Sequence, residues 1–410
     1  MKKRPTPTVY LDNAATTYPK PREVINEALR VIKQDCGNPG RSSHRVAMRA
    51  AETVFECRRR IANHFGGSEE NVIFTSSATH SLNLAIKTTL RRGDHVLISD
   101  IEHNSVIRPI SALAERGHIT FDTYPAHPDP QRTVSTVAAM IRPNTAMVIA
   151  CHRSNIYNLI QPISAIGDLC RRNDILFLVD ASQSAGTLPI DMKRDNIDVL
   201  CAPGHKGLYG IPGSGFAIFG NRFTEREKEV STASTFRSYT YNLPTPRILS
   251  TFMEGGNGIR SRDTAMPDFL PERLEAGTLA VPNIGALSAG IGFVSKLGEE
   301  RINRHETQLF NMISRGFTAF NDHITVHGNG DAGGIVLFSC PYIPCEELAT
   351  ELDGYGICVR AGLHCAPTAH RKLNTPEDGA VRISFGVFNT PKEIWYFLNA
   401  LETVLKRHRK

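Results

Sequence analysis

The chain has 410 residues and a formal net charge of +6, and 41% of its residues are hydrophobic against 21% charged. This composition is typical of a globular protein with more than one domain, and it excludes a disordered or fibrous chain. The basic residues are spread along the chain without forming a stripe, so we expect no nucleic-acid partner.

The N-terminal sequence MKKRPTPTVYLDNAATT is basic, but no apolar run of signal-peptide length follows it. No stretch of the chain is apolar for long enough to suggest a membrane helix, so we expect a cytoplasmic protein with no membrane contact. The nine cysteines are irregularly spaced and include no CxxC pair. We therefore expect free thiols, with neither a disulfide framework nor a metal site.

A long helix is predicted from Ser43 to Phe65, because apolar residues recur there every three or four positions and Gly66-Gly67 follow. From residue 71 to about 220, short apolar runs alternate with amphipathic segments; the runs are NVIFTSS, DHVLISD, TAMVIACH, ILFLVDAS, IDVLCAP and GFAIFG. Continuous apolar strands separated by helical periods are typical of βαβ crossovers. We predict an α/β fold with a mostly parallel sheet covered by helices.

Residues 221–275 are polar and contain MEGGNGIRSRD, and a stretch of this length predicts a functional loop region. Beyond it, predicted helices at 284–319 and 345–352 alternate with the short strands GGIVLFSC, GICVRAG and AVRISFG. This pattern indicates a smaller α+β domain. We predict a large domain at 21–284, and a small domain formed by 1–20 together with 285–410.

Polar residues follow the predicted strands at their carboxyl ends, where open α/β sheets bind ligands. The first strand ends in TSSATHS, which leads into a helix and offers N–H groups and hydroxyls to a phosphate. The later strand ends supply His103, Asn155, Asp180, Gln183, His205 and Lys206. Each residue alone has an ordinary explanation, such as helix capping, but their joint occurrence indicates a binding site.

An aspartate, a lysine and a phosphate cradle are what pyridoxal 5'-phosphate (PLP) requires. The lysine forms a Schiff base, the carboxylate keeps the pyridine nitrogen protonated, and backbone amides hold the phosphate. Gly204, Gly207 and Gly210 around Lys206 allow the backbone to approach a cofactor closely. A nucleotide is the alternative ligand, but the chain has no GxxxxGK[ST] element and no GxGxxG after the first strand.

Nine motifs follow one another in order across residues 10 to 390: YLDNAATT, TSSATHSLN, EHNSV, HRSN, VDASQSAG, GHKGLYG, RLEAGT, VRAGLHCAP and VRISFGVFNT. In these motifs the chain resembles the class V aminotransferase superfamily, and within it the short-loop type of the cysteine desulfurase and selenocysteine lyase branch. The resemblance implies the fold-type I architecture of PLP-dependent transferases. It also implies a homodimer with active sites at the subunit interface.

The resemblance assigns roles around the cofactor ring. It implies that Lys206 is the Schiff-base lysine, Asp180 the partner of the pyridine nitrogen and Gln183 the contact to the phenolate oxygen. His103 would stack on the ring face, and Asn155 would lie beside the cofactor near the substrate. Asn155 and Gln183 could instead make only structural hydrogen bonds.

The phosphate contacts implied by the resemblance are Ala78, Thr79, His205 and Thr278, the last from the other subunit. The family has Ser or Thr two residues before the histidine, where this chain has Pro203. Proline supplies neither a hydroxyl nor an N–H group, so we expect somewhat weaker PLP retention.

Two arginines are predicted to bind the substrate. The resemblance implies that Arg382 binds the substrate α-carboxylate, and a planar guanidinium suits this bidentate contact. Arg382 could also form a surface ion pair, although a lone arginine in an apolar strand favours function. Arg360 is a second candidate, because it lies close in sequence to Cys365.

Cys365 is the predicted sulfur acceptor. A thiolate that attacks sulfur must lie on a loop that reaches the cofactor. The sequence RAGLHCAP provides Arg360 and His364 as potential positive neighbours and Gly362 for backbone freedom. In the family that this chain resembles, R-x-G-x-x-C marks the short-loop desulfurases, whose cysteine becomes a persulfide. The alternative is that Cys365 is a small core residue, as free cysteines often are.

The sequence therefore predicts a PLP-dependent cysteine desulfurase that converts L-cysteine to L-alanine and delivers sulfur through Cys365 to an acceptor protein. Lys206 would move the α-proton, and His103 is a candidate acid or base. Three alternatives stay open: a selenocysteine lyase or selenium-mobilising enzyme, another class V reaction such as transamination, and a non-catalytic binding protein. The presence of Lys206, Asp180 and Arg382 together argues against the last.

Overall fold

The structure is a computed structural model that describes residues 8–40, 43–223, 250–328 and 333–408. The strands are β1 (Val9–Tyr10), β2 (Val72–Thr75), β3 (His95–Ser99), β4 (Thr120–Tyr124), β5 (Thr145–Cys151), β6 (Leu176–Asp180), β7 (Val199–Pro203), β8 (Gly215–Phe219), β9 (Thr325–His327), β10 (Ile335–Ser339), β11 (Ile357–Cys358) and β12 (Val381–Ser384). Strands β2 to β8 form a seven-stranded sheet in the order β2, β8, β7, β6, β5, β3, β4.

Strands β3 to β7 of this sheet are parallel, whereas β8 runs antiparallel to both β7 and β2. Every residue of β3, β5, β6, β7 and β8 is buried, as expected for strands covered on both faces. The predicted α/β class with a mostly parallel sheet is confirmed. Strand β4 lies at the edge of the sheet and is partly exposed, and its sequence TFDTY lacks the continuous apolar run of the others.

The helices are α1 (Arg22–Gln34), α2 (Arg45–Phe65), α3 (Ala78–Thr89), α4 (Asn104–Glu115), α5 (Pro130–Met140), α6 (Ile163–Arg172), α7 (Val281–Leu297), α8 (Glu299–Phe317), α9 (Cys345–Asp353), α10 (Pro367–Lys372) and α11 (Pro391–His408). Helix α2 begins two residues after the predicted start, and Gly66 ends it in the left-handed conformation with φ 69°. No helix within the described ranges is long and apolar enough to cross a membrane.

Among the hydrophobic cores of the described residues, two mark the two parts of the chain. One lies between the large sheet and helices α2, α6 and α7, with Phe65, Phe177 and Phe216 among its members. The other lies against the small sheet β12-β10-β9 and includes Leu309 and Phe397. These cores support the division into a large and a small domain, and the boundaries given above stay a prediction.

The N-terminal segment connects the two cores. Strand β1 pairs in parallel with β11 of the small-domain region, and Asn13 Nδ2 donates to the Ser384 carbonyl at 3.2 Å. Thr17 N–H donates to the carbonyl of His205 at 3.1 Å. This segment therefore holds the turn around Lys206 against the C-terminal part of the chain.

The predicted loop region at 221–275 is only partly described, because residues 224–249 lie outside the described residues. Its described part from 250 to 275 consists of turns and bends. The functional role of residues 221–275 stays a prediction.

Candidate active site

The carboxyl ends of the parallel strands bring His103, Asp180 and Lys206 together. Asp180 is the last residue of β6, Lys206 follows β7, and His103 precedes α4. The three groups are close enough that the charges of Asp180 and Lys206 both influence the pKa of His103. The strand-end residues predicted from the sequence thus meet at one edge of the sheet.

Lys206 lies in a turn closed by the hydrogen bond from Gly210 N–H to the Gly204 carbonyl at 2.8 Å. A Cβ atom on Gly207 would come within 2.4 Å of the Ala185 carbonyl oxygen, so close packing requires glycine there. Burial lowers the pKa of Lys206 to about 8, although the Asp180 carboxylate acts in the opposite direction. About one tenth of the amine is therefore neutral, and nucleophilic, at pH 7.

His103 is the N-cap of α4. Its Nδ1 accepts a hydrogen bond from Ser105 N–H at 3.0 Å and also lies 2.8 Å from Ser105 Oγ. Burial lowers the pKa of His103 to about 4, and the charges of Lys206 and Arg360 act in the same direction. The imidazole is consequently neutral at pH 7, and the proton lies on Nε2 because Nδ1 is an acceptor.

Asp180 and Gln183 are fixed by the backbone. Asp180 is buried, and its Oδ1 accepts from Ser182 N–H at 2.9 Å. Gln183 Nε2 donates to the Ala14 carbonyl at 2.9 Å, which ties this side chain to the N-terminal segment. Asp180 ends β6 and Gln183 lies on the loop that follows it, and both are near Lys206.

Helix α3 presents its N-terminus at the same edge. Ser77 caps the helix by accepting from His80 N–H at 3.2 Å. Ala78 and Thr79 are the first residues of the helix, where N–H groups have no partner within the helix. These groups suit an anion such as a phosphate.

Thr278 lies elsewhere on the subunit. It is exposed and accepts a weak hydrogen bond of 3.4 Å from Asn38 Nδ2. Its neighbours Gly277 and Leu279 line a surface cavity together with Phe55 of α2. The neighbours of Thr278 therefore line a different cavity from the one that Lys206 lines.

Arg382 is almost completely buried, with 1% of its surface exposed. Its Nη2 lies 2.8 Å from Asp12 Oδ1, and its Nη1 donates to the Asn155 carbonyl at 2.9 Å. The alternative of a surface ion pair is therefore wrong. Backbone hydrogen bonds also join Arg382 to Arg360, with Arg382 N–H donating at 2.7 Å.

Cys365 is exposed and lies on a loop in an unusual conformation, so the alternative of a core cysteine is wrong. The φ angles of Gly362, His364 and Cys365 are 98°, 50° and 56°, all in the left-handed region. The Cys365 carbonyl accepts from Asn104 N–H, and the His364 carbonyl from Asn155 Nδ2, each at 2.8 Å. The loop is thereby docked at the start of α4, next to His103.

The prediction that His364 is a positive neighbour of Cys365 is wrong. His364 is buried, and burial together with the nearby Arg382 charge lowers the pKa of its imidazole far below the ordinary value. The ring is therefore neutral at physiological pH. Burial of this kind cannot be read from the sequence RAGLHCAP.

Sequence reasoning missed two acidic residues at the site. Asp12 pairs with Arg382, and Glu102 lies buried beneath His103. Glu102 Oε1 accepts from Ser99 Oγ at 2.5 Å and from Cys151 N–H at 2.6 Å. Burial, assisted by the charge of Asp180, raises the pKa of Glu102 to about 8, so this carboxyl is protonated at neutral pH. Asp12 belongs to the motif YLDNAATT and Glu102 to the motif EHNSV, and these motifs were the sequence features from which both residues could have been identified.

Several polar atoms at this edge have no partner among the described residues. Asn155 Oδ1, His205 Nδ1 and Arg382 Nε are all buried without a hydrogen bond. Buried polar atoms of this kind normally have a partner, so a polar ligand would satisfy them. With a lysine of lowered pKa, a buried aspartate and a helix N-terminus, the residues present fit PLP and an amino-acid substrate.

Comparison with known proteins agrees with this geometry. The family model described as aminotransferase class-V matches residues 9–397. A probable cysteine desulfurase of Methanothermobacter thermautotrophicus is 30% identical over 404 residues, covering 97% of this chain and 94% of the relative. The cysteine desulfurase IscS of Klebsiella pneumoniae is 30% identical over 423 residues, covering 98% and 93%.

The fold also matches solved structures. The apo cysteine desulfurase of Thermococcus onnurineus NA1 superposes with a TM-score of 0.83 at 26% identity, over 98% of this chain and 95% of that one. The E. coli cysteine desulfurase CsdA, in its S-sulfonic acid form, gives a TM-score of 0.82 at 22% identity and shares the fold. The chain belongs to the class V aminotransferase family.

Proposed function

We propose that the protein is a PLP-dependent cysteine desulfurase that converts L-cysteine to L-alanine and carries the sulfur as a persulfide on Cys365. The observation that carries this proposal is the placement of an exposed cysteine loop beside a buried lysine site. The Cys365 carbonyl binds the N-terminus of α4, which His103 caps, and His103 lies within the electrostatic field of Lys206. A transaminase would need the lysine site but no such thiol.

PLP held by Lys206 supplies a sink for the negative charge that develops at the substrate carbon atoms. Asp180 would face its ring nitrogen, and Gln183 its phenolate oxygen. Ala78, Thr79 and His205 would bind its phosphate. Pro203 leaves no hydroxyl for this phosphate, so its retention depends on the remaining contacts.

Arg382 would bind the substrate α-carboxylate. Its contacts with Asp12 and with the Asn155 carbonyl fix the guanidinium, and Nε still lacks a partner among the described residues. A preoriented guanidinium binds a carboxylate in a bidentate manner, and this sets the direction of the substrate side chain. Asn155 Oδ1 is also unpaired within the described residues, and as an acceptor it suits a donor group of the ligand and not the carboxylate.

Proton transfer would fall to Lys206 and His103. An amine with a pKa of about 8 can accept and return a proton near neutral pH, so Lys206 is suited to move the substrate α-proton. His103 is neutral and carries its proton on Nε2, so this atom can donate a hydrogen bond to the bound groups while Lys206 carries the proton.

In the sulfur step, the Cys365 thiolate attacks the sulfur of the bound cysteine. A sulfur–sulfur bond forms while the bond from substrate carbon to sulfur breaks, and the electron pair of the broken bond stays with the carbon. The proton lost by the Cys365 thiol balances the proton that the carbon takes up. One cysteine therefore yields one alanine and one Cys365 persulfide, and the exposed loop can present the persulfide to an acceptor protein.

The active unit would be a homodimer. Ile25, Leu29 and Ile32 of α1 are about half exposed, and so is Phe55 of α2 beside the Thr278 region. A second copy packed on the Phe55 surface would bring Thr278 to the phosphate of its neighbour.

All nine cysteines are free thiols, as suits an enzyme of the reducing cytoplasm.

The test is to incubate the purified protein separately with L-cysteine and L-selenocysteine. We expect alanine from L-cysteine, in a one-to-one ratio with sulfide when a reductant releases it. We also expect mass spectrometry to find one additional sulfur atom on the peptide that contains Cys365. Formation of a keto acid instead of alanine would indicate transamination, and faster turnover of selenocysteine than of cysteine would indicate selenium as the cargo.

A further inference from the structure

A second histidine, His370, lies close to the cysteine loop and has no part in the proposed reaction. It is buried in α10, and its Nε2 lies 3.2 Å from Nδ1 of His364. The two rings are nearly parallel, with an interplanar angle of 9°. His364 directly precedes Cys365, so this pair links the loop to a helix that packs behind it.

The direction of the hydrogen bonds follows from the groups at the two ends. His364 Nε2 lies 3.2 Å from the Arg360 carbonyl, which can only accept. His364 therefore carries its proton on Nε2 and accepts through Nδ1, so His370 Nε2 must donate. His370 Nδ1 then accepts from Thr375 Oγ1 at 2.8 Å. Each imidazole is held in one tautomer.

This chain of hydrogen bonds requires neutral imidazoles. Burial lowers the pKa of His370 to about 4, and the Arg382 charge acts in the same direction. Burial, Arg382 and Arg360 lower the pKa of His364 as well. A proton added to His364 Nδ1 would oppose the donor on His370 and break the link.

The loop needs such support. His364 and Cys365 both have positive φ, a conformation that residues other than glycine adopt only where the surroundings hold it. Their carbonyls bind Asn155 and Asn104, and Ala366 N–H donates to the Leu363 carbonyl at 2.9 Å. The ring of His364 is the side-chain contact that adds to these hydrogen bonds. If that ring rotated, the turn could relax and Cys365 would leave its position beside α4.

We propose that His370 is a positioning residue: its Nε2–H fixes the ring of His364 and thereby holds Cys365 in the left-handed turn. The role of the turn in sulfur transfer rests on the proposed function, but the turn itself does not. Asn104 N–H, which donates to the Cys365 carbonyl, gives a readout of the docked loop that needs no turnover.

The experiment compares His370→Leu with His370→Gln, because the Gln amide can replace the Nε2–H donor. The matched control is His95→Leu. His95 is equally buried and also contacts a threonine, with Nδ1 2.9 Å from Thr145 Oγ1, but it lies at the start of β3. Hydrogen exchange of the Asn104 amide is followed by mass spectrometry in all four proteins, after circular dichroism has shown which variants fold.

We expect Asn104 to exchange about tenfold faster in His370→Leu, as the loss of one hydrogen bond implies, and to return close to the wild-type rate in His370→Gln. His95→Leu should lose stability without this local change. The single-turnover rate of Cys365 persulfide formation should fall in His370→Leu and recover in His370→Gln. In the steady state, kcat of His370→Leu should be reduced and KM little changed.

The proposal is wrong if Asn104 exchange in folded His370→Leu equals that of the wild type, whatever its activity. It is also wrong if His95→Leu accelerates Asn104 exchange as much as His370→Leu does. If His370→Leu does not fold, His370→Gln decides, because an exchange rate equal to wild type supports the donor role and an accelerated one contradicts it. Absence of alanine from the wild-type protein would instead refute the proposed function and leave the exchange result valid.

Discussion

The cofactor edge of the large sheet and the Cys365 loop are built in different ways. Asp180 and Lys206 follow buried strands of the central sheet, whereas Cys365 is exposed on a loop in a left-handed conformation. The sheet holds its residues through a hydrophobic core, and the loop is docked through single hydrogen bonds such as that from Asn104 N–H. Under the proposed function, the groups that would position the cofactor lie at the ends of rigid strands, and the thiol that would pass on sulfur is exposed to a partner.

The largest expected effects come from substituting Lys206 at the cofactor edge and Cys365 on the loop, and they differ between these two regions. Lys206→Ala should abolish both the Schiff-base absorbance of bound PLP and all alanine formation, because Lys206 supplies the amine that would hold the cofactor. Cys365→Ala should keep that absorbance and lose persulfide and alanine formation from L-cysteine. Absorbance spectra and alanine assays of both variants provide the measurement. If Cys365→Ala produced alanine at the wild-type rate, the Cys365 loop would have no role in the reaction, and the proposed difference between the loop and the cofactor edge would be wrong.

Arg382 joins the regions, because its backbone pairs with Arg360 of the loop and its side chain contacts Asp12. Arg382→Lys keeps the charge but loses the planar fork, which costs about 1.5–3 kcal/mol and lowers kcat/KM about 10- to 100-fold. Steady-state kinetics with L-cysteine measure this, and the loss should fall mainly on KM.

The matched control for that substitution is Arg407→Lys, an exposed arginine paired with Glu351. It should leave kcat/KM unchanged. Equal losses in the two variants would show that Arg382 acts through general stability and not through the substrate carboxylate.

Uptake of PLP by the apoprotein should depend on pH through Lys206. The neutral amine is the nucleophile, and burial lowers the pKa of Lys206 to about 8. The uptake rate should therefore rise about tenfold per pH unit below that value and level off above it. Stopped-flow absorbance measured between pH 6 and 10, a range that brackets the shifted pKa of Lys206, gives the dependence of the uptake rate on pH. A rate that keeps rising to the top of this range would contradict a desolvated lysine.

The smallest effect concerns Glu102, which lies beneath the rigid edge. The pKa of Glu102 is 4.5 in the unfolded chain and about 8 in the folded chain. Its contribution to the free energy of unfolding is therefore fully present below pH 4.5 and is lost as the pH rises through 8. The slope can reach about 1.4 kcal/mol per pH unit, and Glu102→Gln should remove it. Urea unfolding at several pH values measures this. Exposed Glu402→Gln is the control, and an unchanged slope in Glu102→Gln would exclude a buried neutral carboxyl.

The elements that were predicted correctly have strong local signals. Continuous apolar runs identified β3, β5, β6, β7 and β8, and the three- and four-residue period identified α2. Strand β4 was missed because an edge strand with exposed residues shows no such run. The strand-end residues could be collected because parallel strands bring their carboxyl ends to one edge.

What the sequence could not supply is the effect of burial and of distant contacts. The pair of Asp12 and Arg382 joins residues 370 positions apart, which no local pattern records. His364 looks like a cation in the sequence, but desolvation keeps it neutral. The protonated state of Glu102 likewise follows from a buried position that its neighbours in the chain do not reveal.

The N-terminal segment has a consequence for how the protein is made. Val9 and Tyr10 are synthesised long before their partners Ile357 and Cys358, and Asn13 likewise precedes its partner Ser384. The same segment supports the turn at Lys206 through the His205 carbonyl. The turn is therefore without its full support until the last strand has been synthesised. Cofactor loading is thus expected to follow completion of the polypeptide, so a nascent chain does not expose a finished reactive lysine to free aldehydes during translation.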